Sequence, residues 1–185
     1  MLFRSRDFFA AERILASDPK PEFEGGDRRF MPRDCVLGWI KDSQGDHAAA
    51  HIDFANARPL QVGYVQKWPD DPNPLMMLAI TDAKLGRKED ALKEGRQAMA
   101  MRSISEDAVE GPLLAGDLAE VYLYVGEQEL AIKQLEALGQ VPRGLIYGDL
   151  AKLPDLDPLR SDPRFQKLLA TLKPIPITNH LPAQN

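Results

Sequence analysis

Residues 117–138 read DLAEVYLYVGEQELAIKQLEAL, and two other stretches follow the same plan: 77–100, MLAITDAKLGRKEDALKEGRQAMA, and 36–57, VLGWIKDSQGDHAAAHIDFANA. Each has a leucine followed by a small residue: Leu37–Gly38, Leu78–Ala79 and Leu118–Ala119. Each has a glycine eight residues after that leucine (Gly45, Gly86, Gly126) and an alanine five residues after the glycine (Ala50, Ala91, Ala131). The glycines lie 41 and 40 residues apart. Three features recurring in step mark an internal repeat, and a period in this range belongs to stacked supersecondary units.

The pattern is that of a helix pair. Leu118, Val121, Tyr122 and Val125 recur at helical spacing on one face, and Ala131, Leu135 and Leu138 do the same after Gly126. The glycine ends the first helix, because it accepts the left-handed conformation of a helix C-terminus. The small residue and the alanine fall where the two helices cross, and a larger side chain there would hold them apart. Phe54 and Leu135, four residues after their alanines, fill the next ridge.

Punctuation outside the repeats places the remaining boundaries. Asn73–Pro74 predicts an N-cap followed by a first-turn proline. Ser103 and Glu106 have capping-box spacing, with a break expected near Gly111–Pro112. Asp18 through Asp27 predicts a long loop, and Trp68–Pro74 a separator between units. Asp157–Pro158 and Asp162–Pro163 each predict a cap and first-turn proline, the second opening a helix whose apolar face is Phe165, Leu168 and Leu169. Residues 174–185 lack periodicity and predict an extended tail. No stretch alternates as a strand does.

The repeats resemble tetratricopeptide repeats, whose unit of about 34 residues carries W-x2-L-G-x2-Y, then A-x3-F, then proline. Leu37–Gly38, Ala50 with Phe54, Ala91, Ala98, Tyr122 and Ala131 match that pattern. Lys41 and Asp82 replace its tyrosine, and Gly95 stands where an aromatic is usual. The wider spacing implies longer helices or insertions between units. The layout of residues 6–172 also resembles the C-terminal repeat region of bacterial multidomain signalling proteins. There, such repeats follow a winged-helix, protein kinase or nucleotide cyclase domain. The stretches that carry this likeness are GDHAAAHIDFANARP (45–59), KWPDDP (67–72), LGRKEDALKEGRQAMA (85–100), 111–138 and LDPLRSDPRFQKLLA (156–170).

The expected fold is all-α: an α-α superhelix over residues 1–173. Its repeats are at about 31–68, 72–102 and 104–140, and a capping helix spans about 162–173. Arg6–Ser17 reads as the second helix of a repeat already begun, so the chain is expected to be either a fragment of a longer protein or a short stand-alone relative. In the family the first helices line a concave groove. Carried over position by position, this implies a partner-binding groove of Cys35, Trp39, Met76, Ile80, Gly116 and Glu120. None of the six is lysine, arginine or asparagine, so the family's clamp for a peptide carboxylate is not expected. The groove is expected to be mainly apolar, to use Trp39 as an anchor and to take a hydrophobic peptide or helix.

Composition narrows the remaining classes. The net charge is −5 across 185 residues, and basic residues adjoin only at Arg28–Arg29 and Arg87–Lys88, so no nucleic-acid surface is expected. No run approaches the roughly 18 apolar residues of a membrane span. Asp7, Glu12 and Arg13 interrupt any signal-peptide core. The single cysteine, Cys35, fits a reducing compartment, and a cytoplasmic location is expected. His47 and His51 share a helix face but lack a third ligand, and Cys35 lacks a local base, so no metal, cofactor or catalysis is expected. Glu106, Asp107 and Glu110 are explained as first-turn acids. The expected role is an adaptor or scaffold for a protein or peptide partner. The alternative is a detached regulatory or oligomerisation region of a signalling or transcription-regulatory protein, and homodimerisation is compatible with either.

Overall fold

The computed structural model describes residues 8–17, 22–24, 30–105, 107–142 and 144–173. In chain order these form α1 (Phe8–Ser17), β1 (Glu22–Glu24), β2 (Phe30–Pro32), α2 (Arg33–Ser43), α3 (His47–Lys67) and α4 (Pro72–Lys84). They continue as α5 (Lys88–Met101), α6 (Glu110–Tyr124), α7 (Gln128–Gly139), the short α8 (Tyr147–Lys152), a 3-10 turn (Pro154–Leu159) and α9 (Pro163–Leu172). The fold is all-α. Its only strands among the described residues are β1 and β2, paired antiparallel with Phe23 opposite Met31. They correct the expectation of no strands: three residues are too few for alternation to register.

The three repeats are three helix hairpins, joined by turns with one hydrogen-bond pattern. Gly45, Gly86 and Gly126 adopt φ of 85°, 74° and 81°. Each glycine N–H donates to the carbonyl three residues back, on Asp42, Ala83 and Leu123. The next N–H, on Asp46, Arg87 and Glu127, donates to the carbonyl five back, on Lys41, Asp82 and Tyr122, at 2.9, 2.8 and 2.7 Å. This double closure satisfies the last carbonyls of the first helix and reverses the chain. The same three residues then accept from the N–H of Ala50, Ala91 and Ala131 at 3.0, 3.0 and 3.1 Å. Those alanines are buried against the first helix.

Within hairpins α2 packs on α3, α4 on α5 and α6 on α7. Between hairpins α3 packs on α4 and α5 on α6, and the first helices α4 and α6 also touch. Close approach needs small residues. A Cβ on Gly38 would lie 2.8 Å from the ring of Phe54. A Cβ on Gly95 would lie 2.9 Å from Leu118 Cδ1, so a side chain from the next hairpin fills the place of the missing aromatic. The wide repeat spacing has two sources: the 21 residues of α3, and the connection 102–109 before α6.

Several boundaries differ from expectation. Asp71, not Asn73, caps α4, accepting the Asn73 N–H at 3.0 Å, and Pro72 and Pro74 both occupy a first turn that needs no donor from them. Helix α6 begins at Glu110, where Asp107 Oδ1 accepts from the N–H of Val109 and Glu110 at 2.8 Å each. The Ser103 hydroxyl pairs with that of Ser105, and Glu106 lies outside the described residues. Asp157–Pro158 sits inside the 3-10 turn and opens no helix. Asp162 does cap α9, accepting the Arg164 N–H at 2.8 Å, with Pro163 first. Phe165 and Leu168 of α9 are buried, and a Cβ on Gly139 would lie 2.6 Å from Leu168 Cδ1, so α9 covers α7. The expected tail 174–185 and most of the loop 18–27 lie outside the described residues.

Candidate functional site

The six residues expected to line a groove divide evenly. Cys35, Met76 and Ile80 are buried in the core. This corrects the expectation for those three. Every residue of α4 from Pro72 to Ala83 is buried, because helices α3, α5 and α6 cover it from different sides. Cys35 Sγ lies 3.8 Å from Thr81 Oγ1 and 3.7 Å from Gln61 Nε2. Burial, opposed by these hydrogen bonds, pushes its thiol up to about 12. The thiolate needed for nucleophilic or metal chemistry is therefore suppressed at neutral pH.

Trp39, Gly116 and Glu120 stay partly exposed and line two open cavities on the first-helix side. The larger, of about 240 Å³, lies among α2, α4, α6 and the 3-10 turn. Its apolar walls are Met31, Val36, Trp39, Leu153 and the Tyr124 ring, and its charges are Asp42, Lys84, Glu120 and Asp155. The smaller, of about 170 Å³, lies between α6 and residues 144–156, with Leu113, Gly116, Ile146 and Leu150 on its walls. Glu120 and Leu153 border both. The role of 144–159 is not marked by any motif in the sequence. Its leucines Leu145, Leu150, Leu153, Leu156 and Leu159 pack on the hairpin core, and only that leucine spacing hinted at it.

Charge in the larger cavity is organised around Lys84. Its Nζ stands 2.7 Å from Asp42 Oδ2, 3.7 Å from Asp155 Oδ1 and 3.5 Å from the centroid of the Tyr124 ring. Asp42 also meets His47 Nδ1 at 2.7 Å. Burial alone would raise the Asp42 carboxyl, but the hydrogen bonds from Lys84 and His47 bring it below the usual range. The Tyr124 hydroxyl is held well above its ordinary value by burial, then by the charges of Glu120 and Asp155.

A second polar cluster lies on the other side of α4. Asp82, fully buried, receives Arg58 Nε at 2.5 Å and Nη2 at 2.8 Å, with Arg87 Nε at 3.2 Å. Glu94 Oε2 on α5 is buried without a hydrogen-bond partner. Burial, then repulsion from Asp82, pushes that carboxyl up to about 7. The positions where the resemblance expects tyrosine thus all reach a second helix. Lys41 pairs with Asp53 at 2.6 Å, Asp82 with Arg58, and the Tyr122 ring lies 5.9 Å from the Arg96 guanidinium.

His47 and His51 are exposed, and among the described residues no group of three or more His, Cys, Asp or Glu is placed to hold a metal ion. No helix of the described residues is long and apolar enough to cross a membrane. Compared with protein-family models, with curated proteins and with solved structures, the chain matches none.

Proposed function

We propose that this chain is a tetratricopeptide-like adaptor or scaffold that binds a segment of another protein on the side formed by α2, α4 and α6. The observation that carries this reading is the pair of adjacent open cavities among those helices, with Trp39 in the wall of one and Gly116 in the wall of the other. Stacked hairpins expose a continuous side on which a chain can lie, and concave sites with apolar walls and a few placed polar groups are where ligands bind. An aromatic residue at such a site supplies a large contact area at low conformational cost. The net charge of −5 argues against nucleic acid as the partner. A lone cysteine is consistent with the cytoplasm.

The test is selection of a random-peptide display library on the immobilised chain, with Trp39→Ala as the counter-target. Sequences retained by the native chain and lost on the variant support a binding module. Failure to enrich any sequence on a folded chain refutes binding of short segments on this side.

A further inference from the structure

We propose that residues 174–185 fold back over the smaller cavity and set Ile175 and Ile177 against its apolar wall. The cavity is walled by Leu113 of α6 and by Leu145, Ile146, Leu150 and Leu153 of the returning segment. Leu113 and Ile146 are 47 % and 61 % exposed, two of the five large apolar side chains left open among the described residues. Asp117 and Glu120 are the only charged residues that line it, and both already have interactions of their own. An uncharged occupant sets nothing against those acids, whereas a carboxylate there meets repulsion.

Two observations choose the occupant. The first is composition. The stretch PIPITNHLPAQN (174–185) holds no Asp, Glu, Lys or Arg and is the longest such run in the chain. The next longest, 72–81, is buried throughout in α4. Ile175 and Ile177 stand two apart, so an extended backbone points both to one side, roughly 7 Å from each other. Proline before and after Ile175 favours that extended backbone and lowers the entropy lost on ordering it.

The second is place. Lys173, which closes α9, is already extended at φ −61° and ψ 125°. Leu168 Cδ1 and Leu145 Cδ1 lie 2.6 and 3.9 Å from one point, the position of a Cβ on Gly139. Leu168 of α9 is therefore a neighbour of the cavity wall, and Leu172 follows one helical turn, about 6 Å, along the axis. Even on the far side of that turn, Leu172 is roughly 15 Å from Leu145, which five extended residues span. Ile177 is five residues on. Under the binding-module reading the tail then covers half of the side offered to a partner, and an incoming segment has to displace it.

The test is disulfide trapping in the full chain with no partner present. Gly116→Cys puts a thiol on the cavity wall, and Gly63→Cys puts one on the exposed side of α3; a Cβ meets nothing within 4 Å at either place. Each is combined with Thr178→Cys, which leaves both isoleucines in place, and Cys35 is buried. Under mild oxidation the Gly116 pair is expected to close about ten-fold faster than the Gly63 pair, because docking raises the local thiol concentration. Adding Ile175→Ser and Ile177→Ser is expected to slow it to the Gly63 rate. Equal rates for the two pairs overturn the inference, as does a bond formed between two chains instead of within one. Hydrogen exchange gives a readout without introduced cysteines. Ile175→Ser with Ile177→Ser, both outside the hairpins, is expected to speed exchange of the amides of 145–153 several-fold, and unchanged exchange overturns the inference. No partner enters either experiment, so their failure leaves the binding-module reading standing, and failure of the peptide selection leaves the docked tail standing.

Discussion

Replacing Glu94 with glutamine should make the protein more stable above neutral pH and leave it nearly unchanged in mild acid. Glu94 on α5 faces Asp82 of α4 across a space shared with Arg58 of α3, Arg87 of the hairpin turn and Asp90 of its own helix. Its ordinary value of 4.5 is raised to about 7, by burial first and by Asp82 next. The folded chain therefore keeps a proton that the unfolded chain releases between about pH 4.5 and about pH 7. Stability contributed by the protonated acid is fully present below the lower value and is lost as pH rises through the window. At 1.36 kcal/mol per pH unit the ceiling is about 3 kcal/mol. Glu94 is only about half enclosed, and solvent screening reduces this to roughly 1–2 kcal/mol. Urea unfolding at pH 5 and pH 8 measures it. The native chain should lose that amount between the two conditions relative to Glu94→Gln, with the denaturant slope unchanged. Every group that titrates in both proteins cancels in the difference. Parallel stabilities at the two pH values would refute the reasoning.

Removing Asp82 should be costly in another way. Asp82→Ala leaves Arg58 without its bidentate partner; because Arg58 is 28 % exposed, the expected loss is about 2–3 kcal/mol, below that of a fully buried pair. The same variant should bring Glu94 back toward 4.5, read as a flatter difference between pH 5 and pH 8. Gly111→Ala and Gly116→Ala, both in α6, should have opposite signs. A Cβ on Gly111 would sit 2.6 Å from Ile104 Cα, which only a backbone shift relieves, so about 1–3 kcal/mol should be lost. At Gly116 nothing lies within 4 Å and helix propensity should raise stability by about 0.5–1 kcal/mol; thermal melts compare the two. Cys35 should resist thiol reagents in the native chain and react at the rate of global unfolding. Rapid native labelling would contradict its burial.

The hairpins were legible because their turns have few chemical solutions. A positive φ at the end of a helix selects glycine, and the crossing five residues later selects alanine, so Gly45, Gly86 and Gly126 carried the fold in their spacing. What depends on contacts distant in sequence was not legible. The capping choice between Asp71 and Asn73 turns on which side chain reaches a free N–H, and both residue types serve. The return of 144–159 across α6 is set by leucines meeting a surface far back in the chain. For the groove, family positions placed Cys35, Met76 and Ile80 on an open side, and they are enclosed. A sign of this was present: Leu75 through Ile80 is apolar without interruption, and a helix apolar all round is a covered one. The acidic lining of the larger cavity combines α2, α4, α6 and the 3-10 turn, which no local pattern brings together.

Hairpins built to one plan carry a hazard during folding, since any first helix can dock on the wrong second helix. The three contacts made from equivalent positions differ in kind. Lys41 presents a cation, Asp82 an anion and Tyr122 a ring, to Asp53, Arg58 and Arg96 respectively. Out-of-order docking would set Lys41 against an arginine, or bury Asp82 against Asp53. Each of these two wrong pairings brings like charges together where the right one brings opposites, whereas Tyr122 meets an arginine whether it faces Arg58 or Arg96. Differences at one repeated position thus weigh against some wrong orders of otherwise interchangeable units.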